Sequence, residues 1–391
     1  MPGNFNKTIL VTSLGASMAH VVRPLEVAKI LRQMGYRIVF SGSGKALKLA
    51  QQSGFELRYL PDWDLAAMIV KLKAGSDDIH TVEQVDEWVR AELTLYQELK
   101  PLIVLDDARI TSNISTAVAG LPRISIQNAY ITPWAINGFV NSILGGPRSI
   151  MEPGDERSYN QIRRQYGLPP VKSLDRMLEA DLNLLCDIPE YVPMHTVPDH
   201  YHYVGPLIWG SDLAEPPWWD ELDPDRPTLY FTMGSTGSPE AFQAAIEFLG
   251  GTEYQVMMTL GSLVKEDDLK PLPPGFFVAS YASGDSLAGR ADVIICHAGN
   301  GTAYQGLRSG VPIISWPTVK DQRWNARRLS ELGVSVTISS PTELLDAVGE
   351  VLANPGFRVA AGQFSKILAQ YNGPETAARL IHEYMENSEN H

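Results

Sequence analysis

The strongest constraint in this sequence is a repeated alternation. Short runs rich in apolar and β-branched residues recur along the chain, separated by stretches with helical spacing. KTILVTS (7–13), YRIVFSG (36–42), LIVLDD (102–107), RISIQNA (123–129) and LNLLCDI (182–188) occupy the first half. TLYFTMGS (228–235), YQVMMTLG (254–261), FFVASYA (276–282), DVIICHAG (292–299), VPIISWP (311–317) and VSVTISS (334–340) occupy the second. A strand apolar on both faces needs cover on both, and the intervening helices supply it. The pattern therefore predicts parallel sheets layered between helices. Between the two series lies VGPLIWGSDLAEPPWWDELDPDRP (204–227), rich in Pro, Trp and acid, which reads as a linker. A chain of 391 residues also exceeds what one core usually supports. The expectation is an α/β protein of two doubly wound domains, over 1–205 and 228–373, joined by 206–227. Within the first, Leu25, Ala28 and Leu31 recur at helical spacing. Pro24 is expected in the first turn of that helix and Gly35 at its C-terminal cap.

Charge and cysteine content narrow the function classes. Acidic residues outnumber basic ones and the net charge is −13, which argues against nucleic-acid binding. Cys186 and Cys296 both sit in apolar runs, as buried thiols of a cytoplasmic protein do. The N-terminus MPGNFNKTILVTS shows no signal-peptide core. No run approaches about 18 apolar residues, so no integral membrane segment is expected. Weak peripheral membrane contact stays open.

In doubly wound sheets, ligands bind beyond the carboxyl ends of strands. Three strand ends carry glycine: Ser13–His20, Gly234–Gly237 and His297–Gly301. The last reads CHAGNGTAYQG (296–306). Gly299 and Gly301 remove side chains where a ligand would approach the backbone. The amides of Gly301, Thr302 and Ala303, at a helix start, suit an anion such as a diphosphate. The same turn also occurs with no ligand. It is neither a GxGxxG fingerprint nor a P-loop.

The text that follows, HAGNGTAYQGLRSGVPIISWPTVKDQRWNARRLSELG (297–333), closely resembles the donor-binding signature of the UDP-glycosyltransferase superfamily. The matching residues are His297, Gly299, Gly301, Thr302, Gly310-Val311-Pro312, Asp321-Gln322, Asn325 and Leu332-Gly333. The resemblance extends to LYFTMGSTGS (229–238), YHYVGPL (201–207) and IVLDDAR…AGLPRISIQNAYITPW (103–134). It implies the GT-B fold, two Rossmann-like domains facing across a cleft, with the last helix (374–391) returning to the N-terminal domain. It implies an inverting transfer of a hexose from a nucleotide-diphosphate sugar, a UDP-sugar first, to a hydroxyl of a small lipophilic acceptor. No cofactor is required, because the nucleotide sugar is a co-substrate.

Residue by residue, the resemblance makes His297, Gly299, Asn300, Gly301 and Thr302 diphosphate contacts. Gly234, Ser235 and Thr236 reach the same group. Asp321, Gln322 and Asn325 supply polar atoms for the sugar. Tyr281 falls where the family contacts the base. Family members carry a Glu eight residues after the histidine; here it is Gln305, which bonds a ribose hydroxyl without charge assistance. The catalytic base implied is His20, with Ala19 where a glycine is usual and Pro24 four residues on rather than three. A hydroxyl needs a general base, and a carboxylate would orient that base. Asp106 and Asp107 both qualify, with spacing to Gly120-Leu121-Pro122 favouring Asp107. Trp63 and Trp134 are candidates for an acceptor pocket or for ordinary packing.

HTVPDHYH (195–202) lacks a complete metal-ligand set, so no metal is expected. Asp62-Trp63-Asp64 and Asp223-Pro224-Asp225 match a short acidic pattern that is common by chance. Two other readings remain: a sugar-nucleotide epimerase or hydrolase on the same fold, and a non-catalytic helper protein.

Overall fold

The computed structural model describes residues 7–64, 80–136, 138, 156–171, 174–210, 213–234, 237–261 and 263–389. The chain divides into two compact units, Met1–Leu207 with Asn372–His391, and Ile208–Tyr371. The Pro- and Trp-rich stretch belongs to the second unit. Its Trp218 donates from Nε1 to the Val278 carbonyl at 2.8 Å.

The first unit runs β1 (Thr8–Ser13), α1 (Met18–Gln33), β2 (Arg37–Gly42), α2 (Lys48–Gln52), β3 (Glu56–Tyr59), α3 (Val82–Leu99) and β4 (Ile103–Asp107). It continues with α4 (Ser112–Ala119), β5 (Arg123–Gln127), α5 (Glu156–Gln165), α6 (Leu174–Leu178), β6 (Leu182–Leu185) and β7 (Tyr201–Tyr203). The strands form one parallel sheet in the order β3-β2-β1-β4-β5-β6-β7. Order reverses between β1 and β4, where the register sets Ser13 beside Asp107.

The second unit runs β8 (Thr228–Thr232), α7 (Glu240–Leu249), β9 (Gln255–Thr259), β10 (Phe276–Ala279), α8 (Gly284–Arg290) and β11 (Val293–Cys296). Then come α9 (Asn300–Ser309), β12 (Ile313–Ser315), α10 (Lys320–Glu331), β13 (Ser335–Thr337), α11 (Leu344–Ala353) and α12 (Pro355–Leu368). Its sheet is parallel, in the order β10-β9-β8-β11-β12-β13. The reversal here falls between β8 and β11.

Helix α1 begins earlier than the proline suggested. Pro24 lies inside the helix, not in its first turn. Val21, Val22 and Leu25 are all buried, and covering Val21 draws the helix start upstream. Proline there leaves the His20 carbonyl without its usual helical donor. Gly35, at φ +94°, lets the chain turn back into β2.

The final helix, α13 (Gly373–Glu389), packs on the first unit. Ala377, Ala378, Ile381 and Met385 join the core formed by Val21, Leu25, Ala28 and the strands beneath. Tyr36 Oη lies 2.6 Å from His382 Nδ1 across the same contact. No helix among the described residues is long and apolar enough to cross a membrane. Ile381 is fully buried, so Ile381→Ala should cost about 2–5 kcal/mol of unfolding free energy in urea. A loss below about 1 kcal/mol would show that α13 is not part of the cooperative core.

Candidate active site

Strand β4 ends in two consecutive carboxylates, and strand alternation sends them to opposite faces. Asp107 Oδ1 lies 2.6 Å from His20 Nδ1. Asp106 turns away. It accepts from Ser112 Oγ at 2.8 Å and Ser125 Oγ at 2.9 Å, and pairs with Arg123 at 3.1 Å. Burial raises its proton affinity. Of the two carboxylates offered as partners for His20, only Asp107 is brought to it.

Arg23, one helical turn after His20, grips the same carboxylate. Its Nε donates to Asp107 Oδ2 at 2.8 Å and its Nη2 to Oδ1 at 2.5 Å. Its Nη1 reaches Asn128 Oδ1 at 2.8 Å and Cys186 Sγ at 3.2 Å. Burial opposes the Arg23 charge, but Asp107 outweighs it and the guanidinium holds its proton above the ordinary range. Burial pushes the Cys186 thiol up to about 12, so it stays neutral. A carboxylate only accepts, so a proton on Nδ1 is the tautomer that bonds Asp107, and it would leave Nε2 its lone pair; Arg23 Nη2 lies 2.8 Å from the same Nδ1. The His20 side chain is 29% exposed and that of Asp107 1%, so the ring reaches from buried acid to surface. Arg23 escaped the sequence reading, although a lone cation in the apolar run VVRPLEV, three residues after His20, is its signal.

The loop after β1 is pinned by Asp62, whose Oδ2 accepts from the Gly15 amide at 3.0 Å. A Cβ on Gly15 would lie 1.9 Å from the Ser43 carbonyl oxygen, so only glycine lets these loops touch. Asp62 also pairs with buried Arg109 at 3.4 Å, which gives the acidic triplet a structural job. Trp63 is buried, its ring 4.6 Å from that of His80. Trp134 packs edge-on against Tyr201 at 4.7 Å, with Arg176 over its ring. Tyr201 opens β7 at the N-terminal end of that strand. A cavity of about 700 Å³, lined by Arg123, Asp181 and His200, lies at that same N-terminal end and is no part of this site. Among the described residues no cluster of His, Cys, Asp and Glu suits a metal ion.

In the second unit, His297 follows β11 and is buried. A Cβ on Gly299 would lie 2.4 Å from its Nε2, and one on Gly234 2.5 Å from its Cε1. Both glycines therefore make room for the imidazole, which corrects the reading of Gly299 as space for a ligand. At Gly301 nothing lies within 4 Å of an added Cβ, and this position does face open space. Burial lowers the His297 pKa from 6.5 to about 4, so the ring is neutral at pH 7. Among the described residues its Nδ1 has no hydrogen-bond partner.

Ala298 adopts a left-handed φ of +59°, which turns the chain from β11 into α9. Asn325, fully buried, donates from Nδ2 to the Ala298 carbonyl at 3.0 Å and clamps that turn. The N-cap of α9 is Gly299, which has no side chain to cap it, and its first turn holds Asn300, Gly301 and Thr302. Gln322 Oε1 accepts from the Thr318 amide at 2.8 Å and the Val319 amide at 3.2 Å, capping α10. That oxygen is engaged at the helix start, where Asp321 stands half-buried beside it. The Gln305 amide lies against Gly284, where a Cβ would come within 2.6 Å of Nε2. Tyr281 is 51% exposed beyond β10. Ser235 and Thr236 lie outside the described residues.

Polar groups gathered at the carboxyl ends of two parallel sheets define a doubly wound α/β protein of two units. A family model described as erythromycin biosynthesis protein CIII-like, C-terminal domain, matches residues 245–382. The chain is 31% identical over 392 residues to a PGL/p-HBAD biosynthesis glycosyltransferase of Mycobacterium tuberculosis (strain ATCC 25177 / H37Ra), covering 94% of this chain and 89% of that protein. The calicheamicin glycosyltransferase CalG4 superimposes with a TM-score of 0.75 at 19% identity, over 98% of this chain and 99% of that one. The spinosyn rhamnosyltransferase SpnG complexed with thymidine diphosphate does so at 0.73 and 17%, over 97% and 99%. The chain belongs to the glycosyltransferase superfamily and is a glycosyltransferase of the GT-B fold.

Two outcomes follow for the second unit. The unfolded chain protonates His297 near 6.5 and the folded one near about 4. Stability is therefore full above the unfolded value and falls as pH drops toward the folded one, by up to ~3 kcal/mol. Urea unfolding of His297→Asn should show a shallower loss over that window, and parallel curves would contradict the assignment. Ala298→Gly, which relieves a left-handed alanine, should leave stability unchanged or raise it by up to about 1 kcal/mol. A loss of that size would mean the turn is not strained.

Proposed function

We propose that the protein transfers a hexose from a nucleoside-diphosphate sugar to a hydroxyl of a small lipophilic acceptor, with inversion at the anomeric carbon. The observation that carries this reading is the 2.6 Å contact between His20 Nδ1 and Asp107, which leaves Nε2 as a base. An acceptor hydroxyl hardly ionises at neutral pH, so its oxygen attacks only as a base removes the proton. His20 Nε2 takes that proton as the oxygen–anomeric carbon bond forms. The bond from that carbon to the diphosphate breaks on the opposite face, and the electron pair leaves with the phosphate. The start of α9 meets the growing charge, and oriented amides of this kind are often the largest catalytic term. His297 contributes as a neutral ring and not as a cation. Asp321 accepts from sugar hydroxyls and Tyr281 contacts the base. The nucleotide sugar is the only co-reactant this scheme calls on.

A uridine diphosphate sugar is the first donor to test. Gln305 favours a thymidine diphosphate sugar as the second. A neutral amide holds ribose hydroxyls less firmly than a carboxylate, and deoxyribose has one fewer to hold. The thymidine diphosphate complex of SpnG supports including it.

Calorimetry with UDP and dTDP, and nucleotide release from their sugars with a panel of hydrophobic alcohols and phenols, test the reading. Release should depend on acceptor. His20→Ala should lower it by a factor of about 10² to 10⁴ while nucleotide binding stays within about twofold. Unchanged turnover in that variant would remove His20 from the mechanism. Failure of both nucleotides to bind would remove the donor site.

A further inference from the structure

We propose that Asp62 is a positioning residue for the transfer reaction: its carboxylate ties the exit loops of β1 and β4 together and so sets where His20 stands against Asp107. The inference rests on His20 being the base, as proposed above. Helix α1 is weakly held at the end that carries His20. Among the described residues its N-cap, Ser17, makes no side-chain capping bond, and Pro24 leaves the His20 carbonyl without its helical donor. Val21, Leu25 and Ala28 fix the rotation of the helix through the core. Placement of its first turn falls to the loop before it, Leu14 to Ser17. The Leu14 amide donates to the Asp107 carbonyl at 3.3 Å, and the Gly15 carbonyl accepts from the Ala46 amide at 3.2 Å. The Gly15 amide donates to Asp62 Oδ2 at 3.0 Å.

Asp62 reaches that loop from β3. The chain leaving β3 crosses the carboxyl end of the sheet, where the Leu60 amide donates to the Gly42 carbonyl at 3.0 Å. The two Asp62 oxygens then have separate tasks. Oδ2 holds Gly15. Oδ1 accepts from the Trp63 amide at 2.8 Å and lies 3.4 Å from Arg109 Nη1. Arg109 is the second residue after Asp107, just past the left-handed Ala108. Its Nε donates to Glu92 Oε1 at 2.7 Å, and Glu92 also accepts from the Thr111 and Ser115 hydroxyls. None of the three charged side chains is more than 2% exposed. Breaking one link leaves a buried charge short of a partner, so the chain of contacts favours one arrangement. It runs from α3 through the exit of β4 to the exit of β1. Those two exits lead to Asp107 and to His20.

Asparagine at 62 keeps the shape but has one acceptor oxygen. With that oxygen on Gly15, its NH₂ faces the Trp63 amide and Arg109, donor against donor. Turned about, it loses Gly15. Asp62→Asn therefore loosens the tie without opening a cavity.

The test is nucleotide release by the full chain, from a UDP- or dTDP-hexose with an accepted phenol or alcohol. Asp62→Asn should lower kcat by about 10- to 100-fold, with the acceptor KM and the nucleotide Kd within about twofold. In a His20→Ala background the same substitution should cost less than about twofold, because no base is left to misplace. A kcat within about twofold of wild type, or an equal loss in both backgrounds, overturns the proposal. Gly15→Ala is the second variant, should Asp62→Asn not fold or His20→Ala be too slow to compare. Its Cβ would lie 1.9 Å from the Ser43 carbonyl oxygen, so it displaces the same loop. It should lower kcat by a similar factor at unchanged nucleotide Kd. The double variant with Asp62→Asn should stay within about twofold of the slower single one. An unchanged kcat in Gly15→Ala, or losses that multiply, overturn the proposal. Turnover that survives His20→Ala defeats the base assignment itself. An inactive His20→Ala beside an unchanged Asp62→Asn defeats only the role of Asp62.

Discussion

Asp107 is a carboxylate with no exposure to water, and such a group costs several kcal/mol unless it is paired and hydrogen-bonded. That requirement organises the first unit. Both of the groups that satisfy it, His20 and Arg23, stand on α1 one turn apart. Helix α1 must therefore sit in one rotation about its axis. Val21, Leu25 and Ala28 fix that rotation by packing onto the sheet, and α13 backs the helix from the other side. Asn128 and Cys186, at the ends of the next two strands along, hold the far side of the guanidinium. The packing that stabilises the fold is thus the packing that aims the imidazole.

The second unit solves a similar problem with a neutral group. Among the described residues His297 has no carboxylate partner, and burial drives it to the uncharged form. Two glycines accommodate its ring, and Asn325 holds the strained Ala298 behind it. The two units share a local device. Asp107 and His297 each stand at the end of the strand across the order reversal, and each is followed by an alanine in the left-handed region, at +61° and +59°. A left-handed non-glycine residue is disfavoured, so both turns persist only because their surroundings over-determine them. In open parallel sheets this reversal is where ligands bind.

Much of the architecture was legible because it rests on local pattern. Apolar strand runs, glycine stops and the Pro-Trp stretch each act through nearest neighbours. Side-chain direction was less so. Asp106 and Asp107 are adjacent and chemically identical, and only strand pairing decides which meets α1. Gly299 read as space for a ligand because the sequence does not show that the His297 ring folds back over it. The capping of α10 by Gln322 was not legible either, because it depends on the backbone path at Thr318. Trp134 read as either pocket or packing, because its edge contact with Tyr201 is long-range and leaves no local pattern. Arg23 was visible as a charge in an apolar stretch, but its partners lie 84 to 163 residues away.

The reaction proposed is a direct displacement at the anomeric carbon. Its stereochemistry is the most direct test. The product formed from an α-linked nucleoside-diphosphate hexose and an accepted phenol or alcohol should be analysed by proton NMR, reading the coupling at the anomeric position. The account predicts the β-glycoside alone; an α-glycoside as the primary product would contradict it.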